Sequence, residues 1–360
     1  MLMLREIELF QFKNYPSRSF TFPEQVIALA GNNGIGKTNL LDAIFYLCFT
    51  RSYFSNSDSQ NVHQGTEGFR IEGHFQVQDK TDIVRVLLRE HGKKEVSCND
   101  LPYERMAHHL GKFPAVMIAP DDVDLINGGS ENRRKLLDAL LCQLDSGYLS
   151  ALSSYNKVLQ QRNTYLRQTA EGKMRNDVLL DTLDDQLIHF GTTIHKKRSL
   201  FFPAFRNKVI ALYTQFAGIP EQPDLFYESP LNDELFETLL RNSREKDHML
   251  QRSSTGIHKD NILITLGTVP FKLQASQGQR KSMLFALKLA EAECLKENKG
   301  FAPLLLLDDV FEKLDARRMK ELLNYVVRQL QPQLFLTDTH PERIQETFRE
   351  LDVSYDLCII

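Results

Sequence analysis

Along the first thirty positions the apolar residues alternate or run together instead of recurring at helical spacing. Leu4, Ile7, Leu9 and Phe10 mark one strand, Phe20 and Phe22 a second, and the unbroken stretch Val26–Ala30 a third, covered on both faces. A Gly- and Asn-rich turn follows. Leu40, Leu41, Ile44, Phe45 and Leu47 then recur as on a helix. Residues 69–77 and 83–89 alternate again, and 114–119 read as a buried strand.

The pattern changes near Asn127-Gly128-Gly129-Ser130. From 131 to about 217 it is helical almost throughout. Tyr148, Leu152, Tyr155, Leu159 and Leu166 form one stripe, and Leu180, Leu183, Leu187, Phe190 and Ile194 another. A turn near Glu171-Gly172-Lys173 makes the two an antiparallel hairpin whose stripes pack as core. Past Pro220 and Pro223 the chain is expected to loop, then form a short helix over 232–242 and a strand over 262–266. Strand and helix alternate to the end: Leu304–Leu307, a helix over 319–329, and a strand over 334–336. The predicted architecture is an α/β lobe built from both chain ends, residues 1–130 and 255–360, with an α-helical lobe, 131–254, inserted between them.

Composition narrows the class. The chain has 360 residues, 42% hydrophobic and 25% charged, as in ordinary soluble domains. With a net charge of -3, any nucleic-acid contact has to come from local basic patches. Five scattered cysteines (Cys48, Cys98, Cys142, Cys294, Cys358) without C-x-x-C spacing suit a reducing cytoplasm, not a zinc site or a disulfide framework. No apolar run reaches the roughly 18 residues of a membrane span, so no membrane partner is expected.

The chemistry sits in three short segments. Gly31-Asn32-Asn33-Gly34-Ile35-Gly36-Lys37-Thr38 fits the P-loop pattern, with a buried strand before it and an amphipathic helix after it. Its glycines let successive N–H groups face a phosphate, the helix adds its positive end, Lys37 reaches the β/γ oxygens and the Thr38 hydroxyl binds Mg²⁺. ATP and Mg²⁺ are therefore the expected cofactors. Leu304–Leu307 ends in Asp308-Asp309. Alone this is a common surface cap; beside a P-loop, Asp308 belongs in the Mg²⁺ shell and Asp309 where a base orients the attacking water. The third segment, Ser276-Gln277-Gly278-Gln279, opens a helix. On local grounds it fits an ordinary N-cap better than a second phosphate cradle. It lies 239 residues after Lys37. A lobe that already has a phosphate loop uses a second cradle most simply on ATP held by another copy.

That set resembles the ABC/SMC ATPase class: P-loop, signature 276–279, strand-Asp308-Asp309, Lys313-Leu314-Asp315 as a D-loop, and Thr337 to His340 as a switch loop. Within it the chain looks like the RecF family over nearly its whole length. Phe12-Lys13-Asn14-Tyr15, Ala119-Pro120-Asp121-Asp122, Asn127-Gly128-Gly129, Arg133-Arg134-Lys135-Leu136-Leu137-Asp138, Gln161-Arg162-Asn163 and Gly256-Ile257-His258-Lys259-Asp260 carry the likeness. It departs at Lys13, where Arg is usual, and in having Ile257 and Lys259 for Pro and Arg. The resemblance implies a homodimer that forms on ATP, with each nucleotide between one copy's P-loop and the other's signature. It implies Lys13, Asn14, Gly31 to Asn39, 276–279 and Asp315 as nucleotide contacts, Thr38 and Asp308 as Mg²⁺ ligands, and Lys37, Asp309 and His340 as catalytic residues. It also implies a weak, DNA-stimulated ATPase acting as a recombination mediator. Such a mediator binds duplex DNA and single/double-strand junctions at gaps and works with RecR and RecO to load RecA in repair, replication restart and the SOS response.

Rival classes fit less well. A transporter ATPase shows a far shorter P-loop-to-signature separation and needs a membrane partner. A long-armed SMC protein carries coiled coils of hundreds of residues. A P-loop metabolite kinase has no use for 276–279. The basic runs 133–135 and 196–198, with Arg280-Lys281, are candidate DNA contacts or simply solvated faces.

Overall fold

The computed structural model describes residues 1–172, 176–217, 221–310 and 316–360. Its strands are β1 (Leu2–Phe12), β2 (Tyr15–Thr21), β3 (Val26–Ala30), β4 (Phe69–Val77), β5 (Lys80–Leu88), β6 (Lys94–Cys98), β7 (Leu101–Pro102), β8 (Ala115–Ile118), β9 (Pro223–Glu228), β10 (Asn261–Leu266), β11 (Val269–Pro270), β12 (Leu304–Leu307), β13 (Leu334–Asp338) and β14 (Asp356–Ile359). The longer helices are α1 (Lys37–Phe49), α2 (Ser130–Leu144), α3 (Ser146–Ala170), α4 (Asp177–Ala217), α5 (Phe236–Leu250), α6 (Gln277–Lys299), α7 (Ala316–Tyr325) and α8 (Pro341–Leu351). The chain divides into two compact units. One comprises Met1–Val123, Leu212–Ile219 and Ser276–Ile360, the other Asp124–Ala211 and Pro220–Ala275.

The first unit has two sheets. An antiparallel one runs β2-β1-β4-β5-β6-β7, and an all-parallel one runs β14-β3-β13-β12-β8. Helix α1 packs against β1, β4 and β5 on one side and against β8 and β13 on the other. Every residue from Leu40 to Phe49 is therefore buried, and the helix is apolar nearly all round, as a helix between two layers must be. Phe12 meets Phe69 and Tyr46 edge-on, with ring centroids 5.2 and 6.1 Å apart. The exception is Asp42. Its carboxylate is fully buried and accepts hydrogen bonds from Ser52 Oγ and Tyr53 N, with Lys13 as its ion-pair partner.

Beside the bulge in β1 between Leu4 and Glu6, the Leu4 backbone bonds to a side chain. Fully buried Gln333 accepts from Leu4 N at 2.6 Å and donates to Leu4 O at 3.0 Å, joining the antiparallel sheet to the residue before β13.

The second unit holds α2, α3, most of α4, α5 and the three-stranded antiparallel sheet β11-β10-β9. Two buried arginines tie it. Arg162 on α3 reaches Asp184 on α4 and Asp247 on α5, both at 2.6 Å, and Ser253 Oγ at 2.8 Å. Arg198 on α4 reaches Asp138 on α2 at 2.7 Å, Asp260 at 2.6 Å and Ile257 O at 3.0 Å. Burial opposes the Arg198 charge, yet Asp138, Tyr148, Tyr227 and Asp260 together hold its pKa well above the usual value.

Several expected elements differ. Pro223 opens β9, where a loop was expected, and the helix expected over 232–242 is α5, Phe236–Leu250. Pro220 and the Lys173 end of the predicted turn lie outside the described residues. No helix among the described residues is long and apolar enough to cross a membrane.

Replacing Gln333 with Leu strips a buried N–H and a buried C=O of their partner at once, a loss of about 2–4 kcal/mol. The thermal midpoint of Gln333→Leu is expected to fall by roughly 5 °C or more in a melt followed by circular dichroism. A midpoint within about 1 °C of wild type would mean that the strand finds other partners.

Candidate nucleotide site

Parallel pairing sets the site. Ala30 lies opposite Asp338, and Leu307 lies opposite both Leu336 and Ile118. The loops after β3, β8, β12 and β13 therefore leave one edge of one sheet, where such sheets bind ligands.

The loop after β3 is the P-loop. Gly31, Gly34 and Gly36 have φ of 148°, 82° and 121°. Gly36 could not be otherwise: a β-carbon there would lie 2.5 Å from Asn14 Nδ2 and 2.7 Å from the Tyr15 hydroxyl. Asn14, in the turn between β1 and β2, and Tyr15, at the start of β2, brace the loop. Asn14 Nδ2 donates to Ile35 O at 2.8 Å, Tyr15 OH donates to Gly36 O at 3.1 Å, and Asn39 Nδ2 donates to Asn14 Oδ1 at 2.7 Å. The Lys37 ammonium turns back onto Gly31 O at 2.7 Å and Asn32 O at 2.9 Å, fixing the loop's curvature. The first turn of α1 carries no acid and no side-chain cap, which leaves its N–H groups for an anion.

Asp308, just past β12, is 3% exposed. Its carboxylate accepts from Thr38 Oγ1 at 2.9 and 3.0 Å and from Thr337 Oγ1 at 2.9 Å. Burial raises its pKa, with Asp309 adding to the rise, against the pull of Thr337, Thr38 and Lys37. A buried carboxylate beside a hydroxyl is a hard-oxygen donor pair, and a divalent cation such as Mg²⁺ would relieve that burial. Asp309 follows with φ at 47°, a left-handed backbone that Asp tolerates. Its N–H donates to Thr337 Oγ1 at 2.9 Å. Thr337 thus orders both carboxylate residues. A lone Thr after an apolar run gave no sign of that role in the sequence.

The other candidate residues fall as follows. Lys13 gives its ammonium to Asp42 and lies over the Phe54 ring, so of this pair Asn14 is the one that touches the P-loop. His340 is exposed as the N-cap of α8, its N–H held by Asp338 at 2.9 Å, and Asp338 is itself gripped by Arg343. Ser276 caps α6 in a capping box: its Oγ accepts from Gln279 N at 3.3 Å, and Gln279 Oε1 accepts from Ser276 N at 2.6 Å. Oγ is the acceptor there, so the exposed hydroxyl keeps its own proton for another acceptor. Asp315 lies outside the described residues. Past Ala119, where a transporter ATPase would place Gln, Asp122 accepts from Ala119 N and the Tyr53 hydroxyl and faces buried Lys288 on α6 at 3.4 Å.

Two of the basic runs are mostly structural. Arg133 bonds to the carbonyls of Ile262, Leu125 and Gly128, Arg134 to Asp260 O, and Arg198 is 1% exposed. Of those six residues only Lys135, Lys196 and Lys197 keep solvent-facing ammonium groups, and Lys135 and Lys197 are ion-paired. The His258 element is structural too. Nε2 donates to Ser253 O, Nδ1 accepts from Tyr155 OH, and burial pushes its pKa down to about 4.

A P-loop and a strand-borne carboxylate on a parallel sheet, faced by an antiparallel sheet, define a P-loop ATPase head of the ABC/SMC type. The comparisons agree. Residues 3–356 match the model of the RecF/RecN/SMC N-terminal domain. DNA replication and repair protein RecF of Flavobacterium johnsoniae is 38% identical over 354 residues, covering 98% of this chain and 99% of that one. RecF of Porphyromonas gingivalis is 38% identical over 358 residues, covering 99% and 97%. The solved structure of the recombination mediator protein RecF with ATP matches with a TM-score of 0.86 at 30% identity over 94% of this chain and 92% of that one. An Smc head domain from Pyrococcus furiosus, with a TM-score of 0.55 and 15% identity over 96% and 92%, shares the fold. The chain belongs to the RecF family.

The brace on the P-loop is testable apart from the loop itself. Asn14→Ala removes the bonds to Ile35 O and Asn39 and is expected to weaken ATP binding roughly tenfold, with the thermal midpoint little changed. Unaltered affinity in calorimetric titration would reduce Asn14 to a hairpin residue.

Proposed function

We propose that this chain is an ATP-dependent DNA-binding recombination mediator. ATP·Mg²⁺ joins two copies, each nucleotide held by the P-loop of one and by residues 276–279 of the other. The joined pair engages DNA at gaps and single/double-strand junctions and cooperates with RecR and RecO in loading RecA. Hydrolysis is weak, stimulated by DNA, and serves as the release. The observation that carries the reading is the Thr38–Asp308–Thr337 cluster at the mouth of the P-loop, in a chain similar over nearly its full length to RecF proteins.

This reading gives each group a role. The N–H groups of the loop and of the first turn of α1 cradle the phosphates, and Lys37 exchanges a loop carbonyl for phosphate oxygen. Thr38 and Asp308 would hold Mg²⁺, which supplies charge neutralisation at the β- and γ-phosphates. Asp309 orients water, and being one methylene shorter than Glu it reaches less far, in keeping with slow turnover. Asn39, at the start of α1, supports the loop through Asn14. Asp315 and His340 are assigned to the dimer-facing and switch positions.

The test is sedimentation or size exclusion with and without ATP, paired with binding to gapped, duplex and single-stranded DNA at two salt concentrations. The chain is expected to dimerise only with ATP, and the ATP form to prefer gapped DNA with an affinity that falls steeply with salt. Lys37→Met is expected to stay monomeric with ATP. If ATP binds that variant as it binds wild type, the P-loop assignment fails. Asp309→Asn is expected to bind ATP normally, to hydrolyse it at least about tenfold more slowly and to hold the dimer longer. Wild-type turnover in that variant would put the base elsewhere.

A further inference from the structure

Gly278, the second residue of α6, has no positive φ, so its backbone does not call for glycine. Space does. A β-carbon there would stand 2.1 Å from Nη1 of Arg318, 3.2 Å from its Cζ and 3.5 Å from its Nη2, the three nearest atoms. The guanidinium of Arg318, on the first turn of α7, therefore lies in the notch that the missing side chain leaves in the signature turn.

The charge is as notable as the fit. The first turn of α6 has no acidic residue and carries Arg280 directly followed by Lys281. A phosphate that approaches this positive helix end finds the guanidinium beside it. Arg318 also belongs to the element that follows Asp308 and Asp309 in the chain. One side chain thus ties the signature turn, which faces a nucleotide held elsewhere, to the segment whose carboxylates serve the subunit's own nucleotide.

Building on the composite-site reading above, we propose that Arg318 is a positioning residue of the signature turn. It fills the Gly278 notch, fixes residues 276–279, and so acts on the ATP held by the second copy and not on its own.

Mixed subunits test this in the full-length chain with ATP. Arg318→Ala is expected to keep monomer ATP affinity within about twofold and to weaken ATP-dependent dimerisation about tenfold. Gly278→Ala, which pushes the guanidinium out, is expected to do the same, and the double variant to be no worse than Arg318→Ala alone, since both remove one contact. Lys37→Met is then mixed with Arg318→Ala at concentrations where wild type is fully dimeric. One composite site of the mixed dimer carries both lesions and the other neither, so turnover is expected to exceed the sum of the two variants alone. A mixture of Lys37→Met with Ser276→Arg is the reference. Recovery with Ser276→Arg but not with Arg318→Ala overturns the assignment of Arg318. No recovery with Ser276→Arg overturns the composite site itself. Additive losses in the double variant, or wild-type dimerisation in Arg318→Ala, would also overturn the proposal.

Discussion

The parallel register of β3, β13 and β12 is the constraint on which the site depends. Because Ala30 pairs with Asp338 and Leu307 with Leu336, a phosphate loop from residue 31, a carboxylate at 308 and a hydroxyl at 337 arrive at one height. The three strands come from opposite ends of the chain, and only pairing makes them neighbours. A one-residue slip would turn each strand's side chains to the opposite layer. Val26–Ala30 and Leu304–Leu307 are buried on both sides, so what opposes a slip is the close packing that each side chain meets in its own layer. Precision in the chemistry is inherited from burial in the core.

The second unit shows another use of buried polarity. Arg162 and Arg198 are among its largest fully buried side chains, and each is neutralised by two aspartates from other segments. Isolated buried charge is prohibitively costly, so each arginine forces its partners into one arrangement. The partners are instructive. Arg162 comes from the Gln161-Arg162-Asn163 motif, Asp138 ends the 133–138 motif, and Asp260 ends the 256–260 motif. The short segments that carry the family likeness in this unit are engaged in ion pairs and hydrogen bonds within it, so much of that fingerprint records how four helices are held, not what they bind.

This separates what the sequence made legible from what it did not. The P-loop could be read because glycine, lysine and threonine at fixed spacing have one common physical purpose. Asp308 could be read because a carboxylate after a fully apolar strand has few other reasons to be there. The basic runs misled because charge type does not reveal exposure: Arg133 and Arg198 look like surface cations until Ile262 O and the Asp138 carboxylate, each more than fifty residues away, are placed beside them. Pro223 was read as a breaker, yet on edge strand β9 a missing N–H is tolerated. Thr337 and Tyr15 fell inside recognised motifs without their roles being legible, and Gln333 left no trace, because each works through long-range contacts that no local pattern encodes.

In the chain taken singly, the site's main groups already have partners. Lys37 holds two carbonyls of its own loop, Asp308 holds two hydroxyls, and Ser276 is engaged with Gln279. These bonds preorganise the loop, so little ordering cost is left for binding. They also set a limit. A nucleotide gains only the difference between its contacts and those it replaces, so a half-site of this kind favours reversible binding. The capped turn at 276–279 gains even less from an exchange within its own subunit. The exposed Ser276 hydroxyl, an acceptor in the capping box, keeps its own proton for an incoming oxygen, so a contact can be added there without giving up the cap. On the proposed reading that oxygen belongs to a nucleotide carried by a second copy.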